Sequence, residues 1–379
     1  MIHYAKIISC YTADTSGVCS ALYELGGMVV VHDASGCNST YATHDEPRWY
    51  DMDSMIYISA LTEIDAVMGN DDKFIDDVCE SAQRLNPKFI AICGSPMPAM
   101  TGTDFDALAM IIESRCGIPT FAMHTNGMKS YLVGASQAFE MLAESYCEKT
   151  GAAKSKPVVN ILGATPLDLS RQEIVGAVWA WLEKCGFEKG CCMAMGSTLE
   201  DYKTAGDAAC NLVVSASGLA AARVLKEKFG TPYVVGLPFG KGFAEQLKGD
   251  IEKAIAQGAD IVSCAQRSEN ADGASAVVVG ESVYAGSLAR AIELQTGKAV
   301  RVIHTLDTSD ELIASADKHI ADEDKLEEEF ADCESVYADP LFKPIVSRTV
   351  EFFPLPHEAF SGRCFRKNIK NFVDRELEF

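Results

Sequence analysis

Short apolar runs alternate with amphipathic stretches of helical period along nearly the whole chain. In the first block AKIISC, GMVVVHD, PKFIAIC and IPTFAMH predict strands. SGVCSALYELGG and DDKFIDDVCESAQRLN predict helices, the second closed by Asn86-Pro87. The small polar segment 151–157, GAAKSKP, predicts a linker. A second block runs KPVVNILGAT, a helix over 168–185, GCCMAMGS, NLVVSAS, a helix over 218–229 ending at Gly230, and TPYVVGLPFG. A third starts near 272 with ASAVVVGES, a helix over 285–296, AVRVIHT and a helix over 309–320. The tail from about 346 carries EFFPLPHEAFSGR and a final charged helix. Apolar strands alternating with helices specify parallel sheets covered on both faces. The pattern therefore predicts an α/β chain of three doubly wound Rossmann-like domains, over 1–155, 156–268 and 269–345, with a C-terminal extension over 346–379.

Length agrees with that division, since 379 residues at about 150 per domain give two to three domains. Charge narrows the partners. Lys and Arg number 33 against 54 Asp and Glu, a net charge of −21 with no basic run, which excludes nucleic acid and an anionic membrane surface as partners. The N-terminal MIHYAKIISC is too brief for a signal peptide. No stretch reaches the roughly 18 apolar residues of a transmembrane helix. A cytoplasmic location is expected, where the fourteen cysteines stay reduced and serve as buried filler or as ligands. The run DEDKLEEEF predicts a solvated helix face.

In open parallel sheets ligands collect beyond the carboxyl ends of strands. Cys10 ends AKIISC, Cys93 ends PKFIAIC, and Cys37 lies in HDASGCNST after GMVVVHD, with Gly36 and Gly94 beside Cys37 and Cys93. Cys19 falls in the first turn of a predicted helix, where the dipole favours a thiolate. Thiolates converging from strand ends suit an iron–sulfur cluster or a soft metal. His32 is placed to orient the Cys37 loop or tune a cluster by hydrogen bonding. The segment 44–50, HDEPRWY, has the Arg, Trp and Tyr of an interface. Cys191-Cys192 reads as strand packing. Neither a Walker A sequence nor G-x-G-x-x-G occurs.

The stretch Cys10-Tyr-Thr-Ala-Asp-Thr-Ser-Gly17, then LGGMVVVHDASGC ending at Cys37, then Ser59–Gly69 with Thr62-Glu63-Ile64-Asp65, resembles the component 1 proteins of the nitrogenase superfamily. Those carry a Cys, a V-H-G-P-x-G-C loop and a Thr-Glu-x-Asp…Gly segment. A third Cys after a strand is matched by Cys93 and Thr101-Gly-Thr-Asp104. VVNILGAT, GLAAARVLKEKFGTPYVVGLPFG and VVVGESVYAGSLARAI are similar to later parts of that family. The resemblance implies three domains around a central cleft. It further implies an Fe–S cluster, 4Fe-4S or a larger P-cluster-like one, bridging two subunits of a homodimer or sister-subunit heterodimer. Cys10, Cys37 and Cys93 would be its ligands, with Cys19 the alternative to Cys10. Asp33 and Ala34 stand where the family has Gly and Pro, and the loop after Cys93 is longer than usual.

The same resemblance implies an ATP-dependent iron protein that docks over the cluster; Glu63 and Asp65 are placed either near that docking face or as caps of a helix. Catalytic nitrogenase subunits hold their cofactor by one Cys and one His. Val214 and Ser215 stand where the Cys would be, which argues against dinitrogen as substrate. His357, in LPHEAFSGR, stands near the place of the His and is the candidate catalytic residue. The expected function is a nitrogenase-like reductase component acting on a small molecule, such as a tetrapyrrole or another unsaturated or sulfur-bearing compound. The alternatives are a scaffold for metallocluster assembly and an α/β binding protein without a cluster.

Overall fold

The computed structural model describes residues 6–7, 12–34, 46–151, 154–267 and 274–379. Its strands form three wholly parallel sheets. The first contains β1 (Met28–His32), β2 (Met55–Ile58), β3 (Ile90–Gly94) and β4 (Thr120–Met123) in the order β2-β1-β3-β4. Its side chains alternate between two buried layers. Met28, Val30, Ile90 and Ile92 meet α3 (Asp71–Leu85) and α5 (Phe105–Cys116), while Val29, Val31, Ala91 and Cys93 meet α1 (Asp14–Leu22) and α6 (Tyr131–Tyr146). Burial on both faces explains why these strands are continuous apolar runs. Two further helices, α2 (Glu63–Met68) and α4 (Pro96–Thr101), lie after β2 and β3.

The second sheet holds β5 (Val158–Ala164), β6 (Glu188–Ala194), β7 (Cys210–Val213), β8 (Tyr233–Val235) and β9 (Ile261–Val262) in the order β6-β5-β7-β8-β9. Its helices are α7 (Pro166–Leu169), α8 (Gln172–Lys184), α9 (Leu199–Tyr202), α10 (Leu219–Phe229) and α11 (Lys241–Gln257). The third holds β10 (Ala276–Gly280), β11 (Val300–His304), β12 (Lys318–His319), β13 (Ser335–Ala338) and β14 (Glu351–Pro354) in the order β12-β11-β10-β13-β14. It carries α12 (Ser282–Thr296) and α13 (Glu323–Ala331), the latter matching the acidic run, and α14 (Glu358–Ser361) follows β14. Each sheet reverses its direction of winding beside its first strand, between β1 and β3, β5 and β7, and β10 and β13. The crevice at such a reversal is where open α/β sheets bind ligands.

Two glycines bring the first and last helices of the first domain into backbone contact. A Cβ on Gly17 would lie 1.9 Å from Tyr131 O, and one on Gly134 would lie 1.8 Å from Asp14 O. The α1–α6 contact thereby sets Cys19 and Tyr131 relative to each other. The tail straps across the later sheets, with Val373 bridging Phe239 and the Gln295 amide bonded to Leu377 on both sides.

Two expected helices do not form. Over 309–320 the chain makes a 3₁₀ turn at Asp310–Leu312 and then β12. The Asp317 carboxylate accepts the N–H groups of Val302 and Ala314, and such side-chain bonds compete with a helix. The charged tail carries 3₁₀ turns at Gly362–Cys364 and Arg366–Asn368 in place of a helix. The strand expected at AKIISC lies largely outside the described residues, as does Cys10.

Candidate functional site

The reversal point of the first sheet gathers the ends of β1 and β3. Cys93 is the fourth residue of β3 and wholly buried, and Cys19 on α1 packs against it at 2% exposure. The Cys93 thiol contacts Val30 O at 3.8 Å and interacts with Cys19, and that neighbour together with burial pushes its pKa well above the ordinary thiol value. It is therefore a neutral thiol in the metal-free fold. Cys10 and Cys37 lie outside the described residues, so the structure brings together Cys93 and Cys19 and leaves the other two unplaced. Thiols are the soft donors an Fe–S cluster takes. Among the described residues, however, no group of three His, Cys, Asp or Glu could hold a metal ion, so the described part alone does not fit a cluster.

His32 points to the other face of the same sheet. Its ring lies 4.3 Å from Phe74, its Nδ1 is 2.8 Å from Ser59 Oγ, and burial lowers its pKa. The structure thus does not bring His32 beside Cys93. Asp65 closes a capping box with Thr62 at the start of α2, and Glu63 is exposed beside it. Arg48 is an internal tie, buried against Glu46, Glu24 and Ser20 O and stacked on Tyr23. Its neighbours Trp49 and Tyr50 are 39% and 75% exposed. Cys191 and Cys192 are buried in β6.

The reversal points of the second and third sheets face each other across a polar junction. After β5, Asp168 sits on α7. After β10, Glu281 caps α12 through the N–H groups of Val283 and Tyr284 and also accepts from Ala216 N, just past β7. After β13, Asp339 accepts from His357 N and Ser361 Oγ, both at 2.8 Å. His357 stands among them at 6% exposure, its Nε2 3.5 Å from Asp168 Oδ1 and its ring edge-on to Tyr284 and Phe360. Tyr131, from the first domain, donates its hydroxyl proton to Asp168. Phe360 also lines a cleft of about 460 Å³ between the first and third domains, with Thr12, Lys129, Ser130, Thr305, Asp307 and His319 among its other walls.

The structure places His357, a candidate from the sequence, beside Asp168, Glu281 and Asp339, which sequence reasoning did not single out. Their signal was positional, because each follows an apolar strand by one to four residues, but acidic residues after strands are common.

Three parallel sheets, the reversal points of the second and third facing each other across one polar junction, define a three-domain α/β protein. The chain belongs to the nitrogenase component 1 type oxidoreductase family, whose sequence model matches residues 15–335. It is 24% identical over 239 residues to the nitrogenase iron-molybdenum cofactor biosynthesis protein NifN of Nostoc sp. (strain PCC 7120), covering 58% of this chain and 53% of that protein. It is 23% identical over 257 residues to one of the subunits of the light-independent protochlorophyllide reductase of Nostoc punctiforme, covering 60% and 51%. The chain spans about half the length of the curated relatives it matches. In fold it is similar to a solved structure described as nitrogenase Cp1 at pH 6.5, with a TM-score of 0.70, 15% identity, and coverage of 99% of this chain and 92% of that one. No described helix is long and apolar enough to cross a membrane.

Proposed function

We propose that the chain is the electron-accepting component of a nitrogenase-like reductase, working as a homodimer or with a sister subunit and reducing a small molecule other than dinitrogen. An Fe–S cluster held by Cys10, Cys37 and Cys93 at the subunit interface would supply single electrons, received from an ATP-dependent iron protein. The thiol pair at the reversal point of the first sheet carries this reading, because Cys93 lies where a parallel sheet presents ligands. The surface beside it supports a docking partner. Ile64, Val67 and Met68 on α2 and Met100 on α4 are each 75–87% exposed, an apolar group of the kind that marks interfaces. The cleft beside Phe360 is the proposed substrate site, and His357 the catalytic residue nearest to it. A substrate of the tetrapyrrole class agrees with the likeness to part of a protochlorophyllide reductase.

Anaerobic iron and acid-labile sulfide measurements test this. About two to four irons per protomer, lost in Cys10→Ala, Cys37→Ala and Cys93→Ala and kept in Cys19→Ala, are expected. Loss in Cys19→Ala with retention in Cys10→Ala moves the first ligand to α1. No iron in reconstituted wild type overturns the reading. The likeness to cofactor biosynthesis proteins favours one second reading, an assembly scaffold. Release of a metallocluster to an apo-acceptor, without turnover by a reductase pair, would decide for it.

A further inference from the structure

Two cysteines outside both the Cys19–Cys93 pair and the polar junction lie with their sulfurs in contact. Cys79, on α3, and Cys116, the last residue of α5, are free thiols with Sγ atoms 3.0 Å apart. Non-bonded carbon atoms settle at about 3.5–4.0 Å and sulfur is larger, so packing as filler does not ask for so close an approach. A disulfide bond is about 2.05 Å long, roughly 1 Å short of the distance already reached. Beside the sulfurs a second contact holds the same two helices, Arg115 Nη2 on α5 lying 2.6 Å from Asp76 Oδ1 on α3. The two thiols differ in access. Cys79 is 6% exposed, in the apolar layer of Phe74, Ile75, Val78 and Ile112, whereas Cys116 is half-buried at that layer's edge. Cys19 and Cys93, by contrast, are both buried, on the other face of the first sheet.

We propose that Cys79 and Cys116 are a modification site that closes reversibly to a disulfide, with a small disulfide such as oxidised glutathione as the oxidant, and so staples α3 to α5. Cys116 is the point of entry, because it is the sulfur that solvent reaches, and Cys79 stands directly behind it as the resolving thiol. The bond joins residues 37 apart in sequence, which removes a large loop from the unfolded ensemble and stabilises the first domain. Burial and the Cys79 neighbour raise the Cys116 thiol to about 12, with the Arg115 cation opposing them. The thiolate that starts the reaction is therefore scarce at neutral pH, and closure is slow there.

Closure takes two exchanges. The Cys116 thiolate attacks one sulfur of the external disulfide, whose S–S bond breaks; one small thiol leaves and a mixed disulfide remains on Cys116. The Cys79 thiolate then attacks the Cys116 sulfur, the Cys79–Cys116 bond forms and the second small thiol leaves. The two cysteines together give up two electrons, the external disulfide takes them, and the two protons lost by the cysteines end on the released thiols. Excess small thiol drives both steps backwards.

Peptide mass spectrometry of the full chain tests this, after incubation with oxidised glutathione under argon at about pH 8.5, alkylation and digestion with trypsin without reductant. The expected product is one linked pair of peptides, 74–84 with 116–129, which dithiothreitol separates. The linked chain is expected to begin thermal unfolding about 5 °C or more above the reduced chain. Cys79→Ala should stop at the first exchange and carry glutathione on Cys116, and Cys116→Ala should leave Cys79 unmodified. Wild type that keeps both thiols free, or that carries glutathione on Cys116 without the linked peptides, overturns the proposal, and neither result depends on a variant folding. A linked chain that unfolds at the temperature of the reduced one overturns the staple.

Discussion

The thiol pair of the first sheet and the acid junction of the other two occupy equivalent places in their sheets, and both are buried. They differ in what burial costs. A protonated Cys behaves as a small apolar side chain, so Cys19 and Cys93 sit in the core among Val18, Val29 and Val31 without penalty. Three carboxyls beside a single imidazole sit there only at the expense of stability. Burial alone therefore distinguishes nothing, and the residues that oppose folding mark where chemistry is held in place. The two sites also divide by kind. Soft thiols suit electrons, and hard ionisable groups suit protons.

The widest break in the comparison comes from the helix contact both sites share. A Cβ on Gly17 would strike Tyr131 O, and α1 carries Cys19 while α6 carries the Tyr131 that binds Asp168. Gly17→Ala forces backbone against backbone. A loss of about 3 kcal/mol, at the upper end for overpacking, is expected in urea denaturation. The same variant should loosen thiol and junction together, seen as faster labelling of the thiols and a changed pH dependence of stability. A variant that unsettles only one site would separate the two.

The next largest effect isolates the junction through pH. In the unfolded chain Glu281 loses its proton near the ordinary glutamate value of about 4.3, whereas in the fold it keeps it to about 7. A raised carboxyl pKa means the fold binds more protons than the unfolded chain across that window. Its contribution is fully present below the unfolded pKa and is lost as pH rises through the folded one. Wild type should lose on the order of 3 kcal/mol from this group between about pH 4 and pH 8. Glu281→Gln should lack that share, so its stability relative to wild type improves as pH rises. Parallel wild-type and variant curves would show that the fold does not raise the Glu281 carboxyl.

These contrasts also explain what could be read in advance. The strands with apolar side chains on both faces, such as GMVVVHD and PKFIAIC, identify themselves by hydrophobicity, and the three-domain α/β order follows. The motif resemblance likewise reached the family. Shorter strands such as β9 and β12, two residues each, have too few apolar positions to stand out. The expected 309–320 helix was lost to Asp317, whose bonds to Arg267 and His304 join residues distant in sequence. The junction was half legible, because His is rare and conspicuous while the meeting of Asp168 with Glu281 depends on two sheets docking. His32 and Cys93 show the opposite limit. They sit one register step apart near the ends of neighbouring strands, yet strand alternation places them on opposite faces.

The smallest effect belongs to the thiol pair and sharpens the comparison by its smallness. Removing one sulfur from a close-packed core leaves a modest cavity, so Cys93→Ala in metal-free protein should cost about 1 kcal/mol near neutral pH. Its pH dependence runs above neutrality. The folded thiol stays protonated well above 9, while the unfolded thiol ionises near 8.5. Stability from this group is therefore present below about pH 8.5 and falls as pH rises further. Cys191, Cys192, Cys210 and Cys264 are raised by burial in the same way, so the alkaline fall is collective and Cys93→Ala removes one share of it. Urea melts at neutral and alkaline pH measure both quantities. A loss several times larger at neutral pH would mean that the metal-free thiol pair is more than core filler, and the contrast with the acid junction would then fail.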